Sequence, residues 1–274
     1  MAAMKTESPE ILEGMYRLFR DFFDRAEAKR RWNLRSDIPW DQCSKNLNPA
    51  LADIVETFCA VELYLPDYLS KLITQVRASR GRAWFLANWG YEEAKHSMVL
   101  EDWLLQSGQR SDEKLADLHS EVFSHEWNLP HDSAAGMLCY AMFQELATQM
   151  HYVNLRATVR AEGGCPALER ILTLVAADEA AHAEFFFKLV SIYLEFDREG
   201  TIDNLRAVAN SFRMPAVHML SDSMARQEEV RNFRIFDEEI WFNRVLEPSL
   251  TRLGLTRHDL RRKVRREVST PTQP

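Results

Sequence analysis

The chain has 274 residues, 46% of them hydrophobic, with only 9 glycines and a formal net charge of −7. That length supports a substantial core, the scarcity of glycine favours helices over a turn-rich β fold, and the acidic balance argues against nucleic-acid binding as the main task. No apolar run approaches a membrane span, and residues 1–13, with three glutamates and no apolar stretch, do not read as a signal or transit peptide.

Ser8-Pro9 reads as an N-cap followed by proline at N1, opening a helix to about residue 31. A loop with Pro39 follows. Asn48-Pro49 opens a second helix to about residue 79, which Pro66 should bend because it cannot donate to the Glu62 carbonyl. Gly81 reads as a break, and a third helix covers about 82–107, closed by Gly108. A shorter helix spans about 112–126. The loop around Pro130 leads to a long helix over about 133–161, and Gly163-Gly164-Cys165-Pro166 is a tight connection to another, over about 166–198. Further helices are expected over 203–213, 215–227, 231–253 and 257–268. With no low-complexity linker, residues 1–274 read as one all-α domain: a bundle at about 48–198 and C-terminal helices at about 203–268.

The chemistry-bearing pattern is a pair of Glu-x-x-His motifs, Glu93-Ala94-Lys95-His96 and Glu179-Ala180-Ala181-His182. On a helix, positions i and i+3 share a face, so each motif offers a carboxylate and an imidazole to one point. One such match is weak on its own. Here Glu62 precedes the first motif and Glu145 the second, and the helical neighbours of all four glutamates are mainly apolar. A lone carboxylate on such a face is costly unless paired or metal-bound, whereas a solvated helix face would show polar neighbours. The intervals from Glu62 to Glu93 and from Glu145 to Glu179 each suit one antiparallel helix hairpin, so two hairpins related by a pseudo-two-fold axis would face one another. A Glu from each of two helices plus Glu-x-x-His from each of two others is the ligand set of a carboxylate-bridged di-iron or di-manganese site. Four carboxylates balance two divalent ions, and a mixed oxygen and imidazole set suits iron or manganese. Cys43, Cys59, Cys139 and Cys165 form no Cys-x-x-Cys pair, which suggests neither a zinc site nor a disulfide framework and fits a reducing, cytoplasmic location.

Several stretches resemble the soluble acyl-[acyl-carrier-protein] desaturases, the plant stearoyl-ACP desaturase family. Trp84 to His96 is similar to that family's W-x-x-E-E-x-x-H helix, and Phe143-Gln144-Glu145-x-Ala147-Thr148 to its F-Q-E-R-A-T stretch. Ala176-Ala177-Asp178-Glu179-x-x-His182 resembles A-A-D-E-x-x-H, Met214-Pro215-Ala216 a later M-P-A-H segment, and Glu62-x-x-Leu65-Pro66 the first ligand helix. The resemblance runs from about Trp32 to about Leu253. It implies a ferritin-like four-helix bundle with flanking helices, carrying two iron ions: Glu62 and His96 on one, Glu145 and His182 on the other, Glu93 and Glu179 bridging. It also implies that Asp178 and Trp32 lead from His96 toward the surface as an electron path, and that Thr148 stands beside the oxygen pocket and helps deliver protons. The chain departs from the pattern at Tyr91, Ala94, Leu146 (in place of Arg) and Val217, which displaces the histidine to His218. These departures bear on chain length, double-bond position and reaction outcome rather than on the metal site.

The expected activity is therefore O2-dependent desaturation of a fatty acyl chain on acyl carrier protein. No Gly-rich dinucleotide fingerprint is present, so electrons should come from a separate ferredoxin-like donor; a homodimer is expected from the resemblance. Phe185, Phe186, Phe187, Met137, Met142 and Leu138 could line an alkyl slot or be ordinary core. The basic tail Arg257, Arg261, Arg262, Lys263, Arg265 and Arg266 could dock an acidic carrier or donor, or be a solvated face. Competing readings are a di-iron oxygenase acting as hydroxylase or N-oxygenase, a ferritin-like iron-oxidising protein, and a helical interaction protein with a fossil site.

Overall fold

A computed structural model describes residues 7–261. Among them the regular structure is helical, with no strand.

Helix α1 (Pro9–Lys29) starts as the Ser8-Pro9 signature requires, with the Ser8 hydroxyl accepting from the Ile11 N–H. Helix α2 (Pro49–Leu63) is capped by the Asn48 side chain, which accepts from Ala50 N–H. The expected bend at Pro66 is a full break. Tyr64 leaves helical geometry, and α3 (Leu65–Gln75) restarts with Pro66 in its first turn, where the missing N–H costs nothing. The Glu62 carbonyl instead lies 3.5 Å from the Tyr68 hydroxyl.

Gly81 does not break a helix. It lies in the first turn of α4 (Arg80–Gln106), where a Cβ would meet the backbone of Met15 at 2.5 Å. The glycine is there because α1 crosses α4 backbone to backbone. Gly108 closes α4 with φ 72°, as expected. Helix α5 (Asp112–Phe123) occupies the crossover to α6 (Ala134–Ala161), and Gly163 and Gly164, both at positive φ, turn the chain into α7 (Pro166–Phe196).

Packing pairs α2 with α4 and α6 with α7, and α4 and α7 close the bundle between the hairpins. Helix α1 covers the α4/α7 side, α3 packs on α4 and α6, and α8 (Arg198–Ser211) lies along α6 and α7. The two expected hairpins thus face one another, and their facing stripes form the core.

The C-terminal part differs most from expectation. In place of a helix over 215–227, Ala216 takes a left-handed φ of 58° and a short 3-10 turn follows (Val217–Met219) before α9 (Ser223–Asn232). The expected helix over 231–253 is interrupted. Arg234 is left-handed at φ 51°, and Asp237 caps a new start, α10 (Glu238–Ile240). That start continues as a π-helical stretch (Trp241–Leu246) into α11 (Glu247–Arg252). Pro248 supplies the reason: it has no N–H to give one turn back, and the widened turn before it accommodates the loss. Of the helix expected over 257–268, the described part, through Arg261, is turn. Arg257 pairs with Glu247 at 2.8 Å and stacks on Phe242, whereas Arg262, Lys263, Arg265 and Arg266 lie outside the described residues. Among the described residues no helix is long and apolar enough to cross a membrane.

Candidate metal centre

Six side chains from the four bundle helices converge: Glu62 from α2, Glu93 and His96 from α4, Glu145 from α6, Glu179 and His182 from α7. All are at most 5% exposed. Their donor atoms form two groups, Glu62, Glu93, His96 and Glu179, and Glu93, Glu145, Glu179 and His182, each within 4.8 Å. Glu93 and Glu179 belong to both. His96 Nδ1 lies 3.2 Å from Glu179 and 3.5 Å from Glu93; His182 Nδ1 lies 2.9 Å from Glu93 and 3.4 Å from Glu145.

These short approaches lack hydrogen-bond geometry. Neither oxygen of Glu145 or Glu179 has a hydrogen-bond partner, nor do Glu93 Oε1 and the Nδ1 atoms of both histidines. Native interiors rarely leave so many buried polar atoms unpaired in one place, and these seven are all of metal-ligating types and belong to the two donor groups. The donor set therefore fits a pair of hard or borderline cations.

Electrostatics agree. Burial, then Glu93, pushes the Glu62 carboxyl well above its usual range; burial, then Glu179 and Glu93, does the same to Glu145. Burial would also raise Glu93, but His96 and His182 outweigh it and hold the group at about 2. Both imidazoles are raised well above their ordinary value, the surrounding carboxylates outweighing burial. The pocket is starved of positive charge, and the protein's own histidines are drawn in to supply it.

The outer nitrogens of the histidines are held crosswise. His96 Nε2 faces Asp178, from α7, at 3.3 Å, and His182 Nε2 faces Glu92, from α4, at 2.7 Å. Each acid immediately precedes a Glu shared by both groups. The sequence thus carries a doubled acid-Glu-x-x-His motif whose first acid serves the histidine of the opposite helix. Trp32 Nε1 donates to Asp178 at 2.8 Å, so Trp32, Asp178 and His96 form one hydrogen-bonded chain. Arg30 pairs with both Asp178 and Glu92, and Arg31 with Glu92. Sequence reasoning placed Asp178 and Trp32 but missed Glu92, Arg30 and Arg31, although the adjacent acids Glu92-Glu93 and Asp178-Glu179 were a readable signal. It also missed Tyr152, whose hydroxyl donates to Glu62 Oε1 at 2.7 Å.

A cavity of about 720 Å³ opens beside the cluster, within the usual size of small-molecule sites. Glu62 and Glu93 line it, as does Thr148, one helical turn after Glu145. Its buried part is walled by Tyr68, Leu72, Trp89, Met137, Tyr140 and Ala141, and its outer part includes Arg213, His218, Arg231 and Glu238. The Thr148 hydroxyl donates to the Gln144 carbonyl at 2.9 Å. Of the residues suggested for an alkyl slot, Met137 lines this cavity. Phe185 instead stacks on Phe85 at 3.6 Å and edges Phe22, because that side of α7 faces α1 and α4. Phe186 and Leu138 border a separate small void, Phe187 lies under Arg252, and Met142 is core.

This is the architecture of a ferritin-like helical bundle with a buried, carboxylate-rich cluster able to hold metal ions. The family model described as fatty acid desaturase matches residues 43–246, and the chain belongs to that family. It is 22% identical over 207 residues to DesA1 of Mycobacterium tuberculosis, assigned as an acyl-[acyl-carrier-protein] desaturase, covering 67% of this chain and 60% of the relative. It is 33% identical over 159 residues to the chloroplastic acyl-[acyl-carrier-protein] desaturase 6 of Oryza sativa, covering 54% and 37%. The chain thus spans from over a third to about 60% of the length of these curated relatives. Among solved structures, DesA2 of M. tuberculosis H37Rv superposes with a TM-score of 0.67 at 19% identity, covering 90% of this chain and 95% of that one. An R2-like ligand-binding oxidase with a Mn/Fe cofactor gives 0.56 at 15%, covering 93% and 97%. At these identities the likeness is one of fold.

Proposed function

We propose that the chain is an O2-dependent oxidoreductase that introduces a cis double bond into a fatty acyl chain carried on acyl carrier protein. One observation carries this reading: a buried cluster of four carboxylates and two imidazoles opens, through Glu62 and Glu93, into an apolar-walled cavity. Glu62 and His96 would hold one iron, Glu145 and His182 the other, with Glu93 and Glu179 between them. Two iron ions so held supply the oxygen activation that amino-acid side chains cannot. The overall balance is one CH2–CH2 unit, O2, two electrons and two protons giving CH=CH and two waters.

The chain's residues do the rest. Leu72, Trp89 and Met137 exclude water and hold the alkyl segment against Glu62 and Glu93. Asp178 and Glu92 fix the two imidazoles so that both Nδ1 atoms face inward. The Trp32–Asp178–His96 chain is the proposed route for electrons from a ferredoxin-like donor. Thr148, at the cavity wall, is proposed to pass protons after its hydroxyl swings away from the Gln144 carbonyl. A reducing, cytoplasmic setting suits the four free cysteines, and a homodimer is the proposed assembly.

The test is the mass of a saturated acyl-ACP after exposure to chemically reduced, iron-loaded protein and O2. Loss of about two mass units supports desaturation. A gain of one oxygen moves the assignment to an oxygenase, and no change in mass sinks both.

A further inference from the structure

The two halves of the ligand set are matched in residue type but not in surroundings. Glu145 is fully buried, does not border the cavity, and neither of its oxygens has a hydrogen-bond partner. Its nearest nitrogen, His182 Nδ1 at 3.4 Å, belongs to the same group of donors. Glu62 occupies the equivalent place in the other hairpin, but Tyr152 donates to its Oε1 at 2.7 Å, and the carboxylate borders the cavity. Tyr152 is itself 1% exposed and braced by the edge of Phe58, so its hydroxyl has little freedom to leave. A phenol O–H spent on one carboxylate oxygen draws electron density from it and weakens it as a metal ligand.

Resting on the metal-centre reading above, we propose that Tyr152 is a positioning residue that makes the centre asymmetric. By occupying one oxygen of Glu62 it leaves that residue one strong donor atom, whereas Glu145 keeps two. The ion beside Glu62 and His96 is therefore the one with room for a further ligand, and it is also the one on the cavity side. The hydrogen bond and the cavity point to the same ion independently. Oxygen and the acyl chain then meet on the Glu62 side, and the Glu145 side serves as the closed partner.

The experiment is Mössbauer spectroscopy of the anaerobic protein loaded with ferrous iron, alongside iron per chain. The wild type should bind two irons and show two quadrupole doublets of equal area. Tyr152→Phe, which keeps the ring and its packing, should still bind two irons but bring the doublets together, as Glu62 regains its second oxygen. Tyr152→Met gives the same comparison should the phenylalanine variant not accumulate. A single doublet in the wild type, or two doublets unmoved in the variants, overturns the proposal while leaving the metal-centre reading intact. Fewer than two irons in the wild type overturns that reading and this proposal with it.

Discussion

In the α2/α4 hairpin, Glu62 and Glu93 border the cavity, and Glu62 is tied to Tyr152; in the α6/α7 hairpin, Glu145 and Glu179 are sealed and without hydrogen-bond partners. The outer acids differ as well. Glu92, from α4, pairs with both Arg30 and Arg31, while Asp178, from α7, is shared by Arg30 and Trp32. A repeated pattern in the sequence thus sets out matching donors, and unrepeated residues around them decide which donor meets the cavity and which stays closed.

The largest expected effect comes from the residues common to both halves. Glu93→Gln should drop metal content below two per chain after dialysis and reduce turnover to background, because Glu93 belongs to both donor groups. Glu145→Gln should spare the Glu62-side ion. Two tightly held metals and unchanged turnover in Glu93→Gln would break the comparison at its root.

The next effect is acid sensitivity confined to one hairpin. His151, on α6, is buried, stacks on Phe236, and donates its Nδ1–H to the Ala147 carbonyl at 2.7 Å. Burial lowers it from 6.5 to about 4. Between these values the unfolded chain binds a proton that the folded chain refuses, so stability falls as pH drops through this window, and the loss is complete below about 4. The full loss is about 3 kcal/mol. Urea unfolding of wild type and His151→Gln at matched metal content should therefore diverge in pH slope between 6.5 and 4. Parallel slopes would remove His151 from the account.

The hairpins were legible because each rule acts locally. Ser8-Pro9 and Asn48-Pro49 cap their helices as read, and the interval between a lone Glu and a Glu-x-x-His sets the hairpin length. What stayed hidden depends on partners distant in sequence. Gly81 looked like a breaker because nothing local shows that Met15 would press against its Cβ. Glu92 was given no role because its partners, His182 and Arg31, come from α7 and from the segment after α1. The phenylalanine run at 185–187 suggested a slot because sequence shows spacing but not which side of α7 faces the neighbouring helices. Around Arg234 and Trp241–Leu246 the helical pattern is apolar enough to read as continuous, and the breaks lie in backbone geometry that Pro248 only hints at.

A smaller effect separates the outer acids. Loss of a carboxylate that orients a ligating histidine costs about 10- to 100-fold in metal affinity. Glu92→Gln should lie toward the upper end, since Glu92 holds its histidine at 2.7 Å and meets two arginines, and Asp178→Asn toward the lower end, since Asp178 holds its histidine at 3.3 Å and meets one. Competition against a metal-sensitive dye measures both, and the reverse order would mean that Trp32 rather than the arginines sets the strength of these contacts.

The smallest effect concerns the contact between the sealed hairpin and the cavity. Thr148 lies one turn from Glu145 yet borders the cavity, so the proton role proposed for it would link one side to the other. Its hydroxyl is already given to the Gln144 carbonyl, and a proton relay has to break that bond first. Thr148→Val should therefore lower kcat by about tenfold, less than the 10²–10⁴ of a positioned acid–base group. Thr148→Ser, which restores the hydroxyl in a smaller side chain, should recover most of the loss, and the solvent isotope effect on kcat should rise in the valine variant alone. Equal loss in both variants would mark Thr148 as cavity wall, and protons would then have to enter along the Glu62 side.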